Sequence, residues 1–226
     1  MIRALVFDLD DTLYPEQDFL VSGYRAVARH IAGISGSAFE EVCAVIGDTL
    51  VQSGRRAVMP ALCARFPGPA AGIDSLVAVY RGHDPDIRLF PGCEGLLRRL
   101  RSSYRLGILT DGLPEVQQRK CRALGLPGLV DEIVCTWQNG EEKQKPHPEA
   151  FRCILARLRV SPEEALMIGD QPEKDCRGAQ AAGMKSVLIS PADAPDLEGA
   201  PADAVIESLS QLPWILEQMG GCHEAA

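Results

Sequence analysis

The sequence predicts an α/β protein with a doubly wound parallel sheet and a block of helices inserted after the first strand. Short apolar runs alternate with segments of helical period, as strands and helices do in such folds. The runs are almost continuously apolar, which is typical of strands covered by helices on both faces. Between residues 15 and 88, helical patterns follow one another without a convincing strand.

Six apolar runs are the predicted strands. Each strong candidate reads as a strand that is buried on both faces, so the sheet should be parallel with right-handed crossovers. The strong candidates are Ala4–Phe7, Leu106–Leu109, Ala165–Ile168 and Ser186–Ile189, and the weaker ones are Glu132–Cys135 and Ala204–Ile206.

Four helices are predicted between these strands. A proline at the first helical position and a glycine just past the last one are typical boundary signals. Pro114 gives the first signal, and Gly125 and Gly183 give the second. The predicted helices are Glu94–Leu100, Pro114–Leu124, Pro148–Leu158 and Glu173–Ala182.

The inserted block divides the chain into two predicted domains. Residues 1–14 and 89–226 form the core domain, and residues 15–88 form a helical cap with four helical patterns. A crossover of this length is far longer than a sheet connection needs, which favours a separate cap over helices of the main layer. Ser37 and Glu40 read as a capping box that opens a helix running towards Val51.

Composition and charge exclude several partners. The net charge of -8 argues against nucleic acid or an anionic membrane surface as the main partner. No apolar run approaches the ~20 residues that span a bilayer, and the first eight residues resemble neither a signal nor a transit peptide. The eight cysteines show no C-x-x-C spacing, so we expect free thiols in a reducing cytoplasm. Oligomeric state is left open, and a frayed tail is expected over residues 220–226.

Polar residues follow three of the predicted strands. The segment Asp8–Thr12 follows the first strand and Thr110–Gly112 follows the second along the chain. Asp170 follows a third, with Asp175 five residues later, and Lys145 lies in the loop before the helix that begins at Pro148. Ligands of parallel sheets bind beyond the carboxyl ends of the strands, so we expect these side chains to share one site.

These residue types suit the hydrolysis of a phosphate monoester. Asp8, at the end of a buried strand, is placed to attack phosphorus and form an aspartyl-phosphate intermediate. Asp10 can protonate the leaving oxygen and then activate the water that hydrolyses the intermediate. Thr110 can hold phosphoryl oxygens, and Lys145 can neutralise charge in transfer, with Lys143 as its runner-up.

The clustered carboxylates predict a divalent cation. A pair of like unit charges 4 Å apart costs about 4 kcal/mol at an effective dielectric constant of 20. Mg²⁺, a hard cation that prefers oxygen ligands, would offset that repulsion. Asp8 and Asp170 are the expected side-chain ligands, joined by the backbone carbonyl of Asp10. Asp175 is a further ligand or an acceptor that fixes the loop.

Together, these segments resemble the four motifs of the haloacid dehalogenase-like hydrolase superfamily, from Phe7 to about Met184. The resemblance implies a Rossmann-like core with a helical cap between the first two motifs. It assigns Asp8 as nucleophile and Asp10 as acid/base. It also implies a phosphate-binding pair, Thr110 and Lys145, and a magnesium site of Asp8, Asp10 and Asp170. Asp111 stands where many members have Asn, and its extra charge bears on phosphate positioning.

Other activities of that superfamily fit the sequence less well. The dehalogenases lack the second aspartate, which is Asp10 here. Phosphonate-cleaving members and β-phosphoglucomutases resemble this pattern but place a lysine in the cap, and residues 15–88 contain none. We therefore expect a phosphatase acting on a small phosphorylated metabolite. A phosphomutase, another phosphotransferase and a receiver-type phosphorylation switch are the alternatives.

The cap should select the substrate, because it would close over the leaving group. Arg55 and Arg56 are the leading candidates for contact with a polar or anionic leaving group. Surface charge or helix packing is the competing interpretation for each candidate. The wider set of candidate contacts is Tyr14, Arg55, Arg56, Tyr80, Arg81 and His83. His147, beside the lysine-proline motif, is expected to cap the following helix instead.

Overall fold

The computed structural model describes residues 1–191 and 201–220. The chain forms two compact units, one of Met1–Glu16 with Arg88–Ala226 and one of Gln17–Ile87. We call them the sheet unit and the helical unit. The predicted domain boundaries and the role of a cap stay predictions, and most of the tail expected to fray lies outside the described residues.

The sheet unit contains a six-stranded sheet in which all neighbouring strands are parallel. Its strand order is β3-β2-β1-β4-β5-β6, so the order reverses around β1. This is a doubly wound arrangement, and it confirms the predicted fold class. The strands are β1 (Ala4–Phe7), β2 (Arg105–Thr110), β3 (Glu132–Cys135), β4 (Ala165–Gly169), β5 (Lys185–Ile189) and β6 (Ala204–Ile206).

The register of the sheet places the predicted motifs at one edge. Phe7 pairs with Ile108 of β2 and with Ile168 of β4. The backbone N–H of Asp8 donates to the carbonyl of Ile168 at 2.9 Å. Since parallel strands end on the same side, the residues that follow β1, β2 and β4 emerge together at the point where the strand order reverses.

The helical unit has its own apolar core. The core includes Val27, Ile31, Ile46 and Leu62, all of them buried. The predicted capping box is wrong: Ala38 is the N-cap of the second helix, so Ser37 lies one residue too early to reach the first turn. The helices are α1 (Glu16–Ser35), α2 (Phe39–Ser53), α3 (Val58–Arg65) and α4 (Ile73–Gly82).

Five more helices lie among the described residues of the sheet unit. Phe151 and Ile154 of one of them pack against Val6 and Met167 of the sheet. Burial of each such side chain contributes about 1.5–3 kcal/mol, which fixes that helix against the strands. The helices are α5 (Cys93–Leu100), α6 (Pro114–Ala123), α7 (Pro148–Leu158), α8 (Gly178–Ala181) and α9 (Leu212–Gln218).

One predicted helix differs in form. The segment expected to be a single α-helix over Glu173–Ala182 begins as a π-helix, Pro172–Arg177, and only its last turn is α8. The wider π turn carries Asp175, which is completely buried. A π-helical turn is rare and is frequently found at a functional site. The local pattern of apolar residues predicts a helix here but does not distinguish a π turn from an α turn.

Two further observations concern the whole of the described chain. Residues 1–191 and 201–220 include no helix that is both long enough and apolar enough to cross a bilayer. The seven cysteines within these residues are free thiols.

Candidate active site

Three carboxylates meet where β1 and β4 end. Oxygen atoms of Asp8, Asp170 and Asp175 lie within 4.8 Å of one another. Asp8 directly follows β1, Asp170 directly follows β4, and Asp175 is turned inward by the π-helix. The structure thus brings together three of the four predicted metal ligands.

Lys145 lies between two of these carboxylates. Its Nζ atom donates to Asp8 Oδ1 at 2.5 Å and to Asp175 Oδ1 at 2.7 Å, and only 3% of its side chain is exposed. Burial alone would lower the pKa of Lys145. The neighbouring carboxylates of Asp8, Asp175 and Asp111 outweigh burial and raise that pKa above its ordinary value, so the ammonium stays charged.

Negative charge exceeds positive charge in this cluster. Burial raises the pKa of Asp8 well above its ordinary value, although Lys145 opposes the shift. Burial, with repulsion from Asp175, raises the pKa of Asp170 to about 6. Three carboxylates face one ammonium, and all their donor atoms are oxygens. This set of ligands therefore fits a hard divalent cation such as Mg²⁺.

Neighbouring groups fix the direction of the acidic side chains. The buried hydroxyl of Thr12 donates to Asp170 Oδ1 at 3.1 Å. The backbone N–H of Gln171 donates to Asp175 Oδ2 at 3.0 Å. Gly169 leaves room for this arrangement, because a Cβ atom there would lie 2.2 Å from Asp175 Oδ2. Such contacts orient metal ligands, and their loss typically weakens metal binding.

Asp10 lies in a second network, separate from the three carboxylates. Lys120 Nζ donates to its two oxygens at 2.7 and 3.0 Å. Gln117 Nε2 donates to Asp10 Oδ2 at 3.1 Å, and the hydroxyl of Tyr14 donates to Oδ1. The carboxylate of Asp10 is therefore engaged by these three side chains, and its predicted contact with a metal ion stays a prediction.

Thr110 belongs to the same second network. Its side chain is almost fully buried at the end of β2. The hydroxyl oxygen accepts a hydrogen bond from Gln117 Nε2 at 2.5 Å. Gln117 therefore contacts both Thr110 and Asp10, the predicted phosphate-binding residue and the predicted acid/base.

Asp111 contacts the loop that carries Lys145. Its Oδ1 atom accepts from the Thr136 hydroxyl at 2.8 Å and from the backbone N–H of Lys145 at 3.0 Å. Lys174 Nζ lies 3.6 Å from its other oxygen. The charge of Asp111 is thus used to anchor the lysine loop, and its predicted contact with substrate stays a prediction.

The remaining candidates are divided between the two units. Arg55 and Arg56 form an exposed turn of the helical unit, and their contact with substrate stays a prediction. Lys143 pairs with Glu149 at 2.9 Å, away from the carboxylate cluster. His147 caps α7 as expected, because its Nδ1 atom accepts from the backbone N–H of Glu149.

Four residues of the site were not assigned a role there from the sequence: Thr12, Tyr14, Gln117 and Lys120. Tyr14 was counted among the possible substrate contacts, but it is fully buried in the sheet unit and holds Asp10. The sequence does contain a signal for Gln117 and Lys120, because both lie on the buried face of α6 together with Cys121. Polar residues at the spacing of a buried helical face indicate a buried polar network.

A cavity of about 620 Å³ lies in the sheet unit. Thr12 and Asp170 border it on one side. Phe90, Ile189 and Leu209 contribute an apolar wall. The cavity therefore touches the carboxylate cluster at Asp170.

Comparison with known proteins identifies relatives that are named phosphatases. A glyceraldehyde 3-phosphate phosphatase of Methanopyrus kandleri is 32% identical over 207 residues, which are 88% of this chain and 88% of that protein. A phosphoserine phosphatase of Thermus thermophilus is 34% identical over 125 residues, 55% of this chain and 49% of that protein.

Solved structures share the fold. A 2-haloacid dehalogenase from Pseudomonas syringae pv. Tomato DC3000 is 27% identical, with a TM-score of 0.68 over 97% of this chain and 100% of that one. The HAD-hydrolase YfnB from Bacillus subtilis, bound to magnesium, is 22% identical, with a TM-score of 0.67 over 95% and 98% of the two chains, and shows the fold alone. The sequence model of the haloacid dehalogenase-like hydrolase family matches residues 2–183, so this chain belongs to that family.

Proposed function

We propose that this chain is a magnesium-dependent phosphatase that hydrolyses a small phosphate monoester through an aspartyl-phosphate intermediate on Asp8. The observation that carries the proposal is the cluster of Asp8, Asp170 and Asp175 around the buried ammonium of Lys145. Relatives that are named phosphatases support the reaction class.

In the first step, a carboxylate oxygen of Asp8 attacks phosphorus, and the bond from phosphorus to the ester oxygen breaks. Asp10 donates a proton to that leaving oxygen. In the second step, Asp10 takes a proton from water, the water oxygen bonds to phosphorus, and the bond to Asp8 breaks. Inorganic phosphate leaves, and both aspartates return to their initial protonation states.

The charges of the site suit this reaction. Lys145, held against Asp8, keeps a fixed positive charge where the transferred group carries negative charge. Mg²⁺ held by Asp8 and Asp170 would reduce repulsion between the nucleophile and the phosphate dianion. Both oxygens of Asp175 already accept hydrogen bonds, which favours a role in orienting Lys145 and the loop over direct ligation.

The substrate class follows from the relatives and the cavity. The names of the relatives point to small phosphorylated metabolites, and the cavity beside Asp170 is of a size for such molecules. We assign the helical unit as the cap and Arg55 and Arg56 as its contacts with the leaving group. Loss of selectivity in Arg55→Ala and Arg56→Ala across a panel of phosphate esters is expected, and unchanged selectivity in both would exclude that assignment.

A dehalogenase is the second candidate, because the structure of a 2-haloacid dehalogenase resembles this chain at 27% identity. The network around Asp10 argues against it. A reaction that releases a halide ion has no leaving oxygen to protonate, whereas the partly buried Asp10 is held by hydrogen bonds from Lys120 and Gln117.

The deciding experiment measures phosphate release from a panel of phosphate monoesters, with Mg²⁺ and with EDTA. Multiple turnover that requires Mg²⁺ is expected, and Asp8→Asn should lose activity by about 10³-fold or more while remaining folded. Asp48→Asn is the matched control, because it removes one negative charge, as Asp8→Asn does, but at an exposed position of α2. Halide release from 2-chloropropionate, or a stable stoichiometric phosphoprotein, would replace the proposal with a dehalogenase or a phosphorylation switch.

A further inference from the structure

In the second network, the side-chain amide of Gln117 connects Asp10 with Thr110. Gln117 Nε2 lies 3.1 Å from Asp10 Oδ2 and 2.5 Å from Thr110 Oγ1. Gln117 is 2% exposed and Thr110 is 1% exposed, so water does not compete for these contacts. The amide is therefore part of a fixed arrangement.

The chemistry of Asp10 fixes which way this amide faces. In the ionised form of Asp10, the Lys120 ammonium and the Tyr14 hydroxyl both donate to the carboxylate, whose oxygens then act only as acceptors. An amide oxygen turned towards them would place two acceptors in contact, so the NH₂ group must face Asp10. Its second N–H is then the one directed at Thr110.

This orientation determines the role of the Thr110 hydroxyl. A hydroxyl has one proton to donate and two lone pairs that accept. One lone pair is occupied by Gln117, so the O–H proton must point away from the amide. Within the part of the chain that the structure describes, the hydrogen bonds of Thr110 include no acceptor for that proton.

We propose that Gln117 is a positioning residue that holds the Thr110 hydroxyl as a hydrogen-bond donor to the phosphoryl group. The inference rests on the proposed function, since it needs a phosphoryl group to bind at Thr110. It also gives the residue a second task, because the same nitrogen anchors Asp10. Gln117 and Lys120, three residues apart on α6, thus serve Asp10 from one helical face.

The test is a double-mutant cycle with inorganic phosphate as the probe. Calorimetric titration with Mg²⁺ present gives the phosphate dissociation constant of the wild type, Gln117→Met, Thr110→Val and the double variant. Gln117→Met frees the hydroxyl to rotate, and we expect phosphate affinity to fall about 3- to 10-fold, as for the loss of one hydrogen bond. In the Thr110→Val background, where no hydroxyl remains to be held, the same change should alter affinity less than about twofold.

Coupling between the two positions separates positioning from a general structural role. Equal losses of affinity from Gln117→Met in both backgrounds, or no loss in either, would overturn the inference. The KM of Gln117→Met should rise because Thr110 loses the hydrogen bond that orients its hydroxyl. The kcat should also fall, because Asp10 loses a donor. If urea unfolding shows that Gln117→Met does not fold, the cycle is repeated with Gln117→Glu. The carboxylate of that variant accepts the hydroxyl proton, and absence of coupling there overturns the inference equally.

The outcome for the wild type distinguishes the two proposals. Failure of the wild type to bind inorganic phosphate and to hydrolyse any ester would reject the proposed function and this inference together. A wild type that binds and hydrolyses, combined with effects that multiply across the cycle, would reject the role of Gln117 alone.

Discussion

Replacing Asp170 by asparagine should stabilise the protein at pH 7.5 when EDTA removes divalent cations. Burial and repulsion from Asp175 raise the pKa of Asp170 from an ordinary value of 3.8 to about 6 in the folded protein. The folded state therefore holds the proton more tightly than the unfolded state does. Above pH 6, ionisation of Asp170 destabilises the folded state by its full amount. This penalty disappears as the pH falls below the ordinary pKa of the carboxyl group.

The magnitude follows from the shift. Each pKa unit corresponds to 1.36 kcal/mol, so a shift of about 2 units predicts a penalty of about 3 kcal/mol at pH 7.5. Asp170 is partly exposed, and screening by solvent makes this an upper value. At pH 5, between the two pKa values, the same arithmetic leaves about half of the penalty. Asparagine removes the charge and keeps an oxygen that can accept from Thr12.

Urea unfolding measures the effect. With EDTA at pH 7.5 the free energy of unfolding of Asp170→Asn should exceed that of the wild type by up to about 3 kcal/mol, and the difference should narrow by about half at pH 5. Added Mg²⁺ should stabilise the wild type and leave the variant unchanged. Asp48→Asn, an exposed position on α2, should change stability by no more than about 0.5 kcal/mol.

Two results would refute this reasoning about charge at the site. One is a variant that is no more stable than the wild type with EDTA at pH 7.5. The other is an advantage of the same size at pH 5, since that would show that titration of the carboxylate is not its cause.

Three further predictions test the contacts around the cluster. Gly169→Ala places a Cβ atom 2.2 Å from Asp175 Oδ2, so urea unfolding should show a loss of about 1–3 kcal/mol, and an unchanged stability would contradict the close approach. Thr12→Val removes the donor to Asp170 and should weaken Mg²⁺ binding about 10- to 100-fold in calorimetric titration, whereas equal affinity would show that the hydroxyl does not orient the ligand. Asp111→Ala leaves the Thr136 hydroxyl and the Lys145 N–H without their acceptor. The free energy of unfolding should fall by about 1–3 kcal/mol for each of these buried donors, and kcat should fall as well. A wild-type free energy of unfolding together with a wild-type kcat would rule out the anchoring role.

The sheet could be predicted closely because its strands are buried on both faces. Such strands leave a continuous apolar run, and the run from Ala4 to Phe7 coincides with β1. The weaker runs also became strands, β3 and β6, at the predicted positions. Helix starts were less secure. Ser37 has the right residue type for a cap but the wrong position, and one residue of offset decides whether a side chain reaches the first turn.

Asp8 and Asp170 could be found because each directly follows a strand, and the topology gathers strand ends. Their partners could not be found in this way. The contact of Lys145 with Asp8 and that of Asp111 with the backbone of Lys145 both depend on the directions of side chains. Those side chains belong to segments that are distant in sequence. The resemblance to the family predicts roles for motif residues alone, and Gln117 and Lys120 lie outside those motifs.

The distribution of lysine explains how an acidic protein can act on an anion. The chain has a net charge of -8, yet Lys120 and Lys145 are both almost fully buried at this one site. Lysine is rarely buried unless it is paired, and here each ammonium is paired with a different aspartate, Lys145 with Asp8 and Lys120 with Asp10. Two aspartates two residues apart therefore have different surroundings. Asp8 shares a crowded acidic cluster that calls for a cation, while Asp10 lies among donors. Separate surroundings suit the same residue type to the two proposed roles, Asp8 as nucleophile and Asp10 as acid/base.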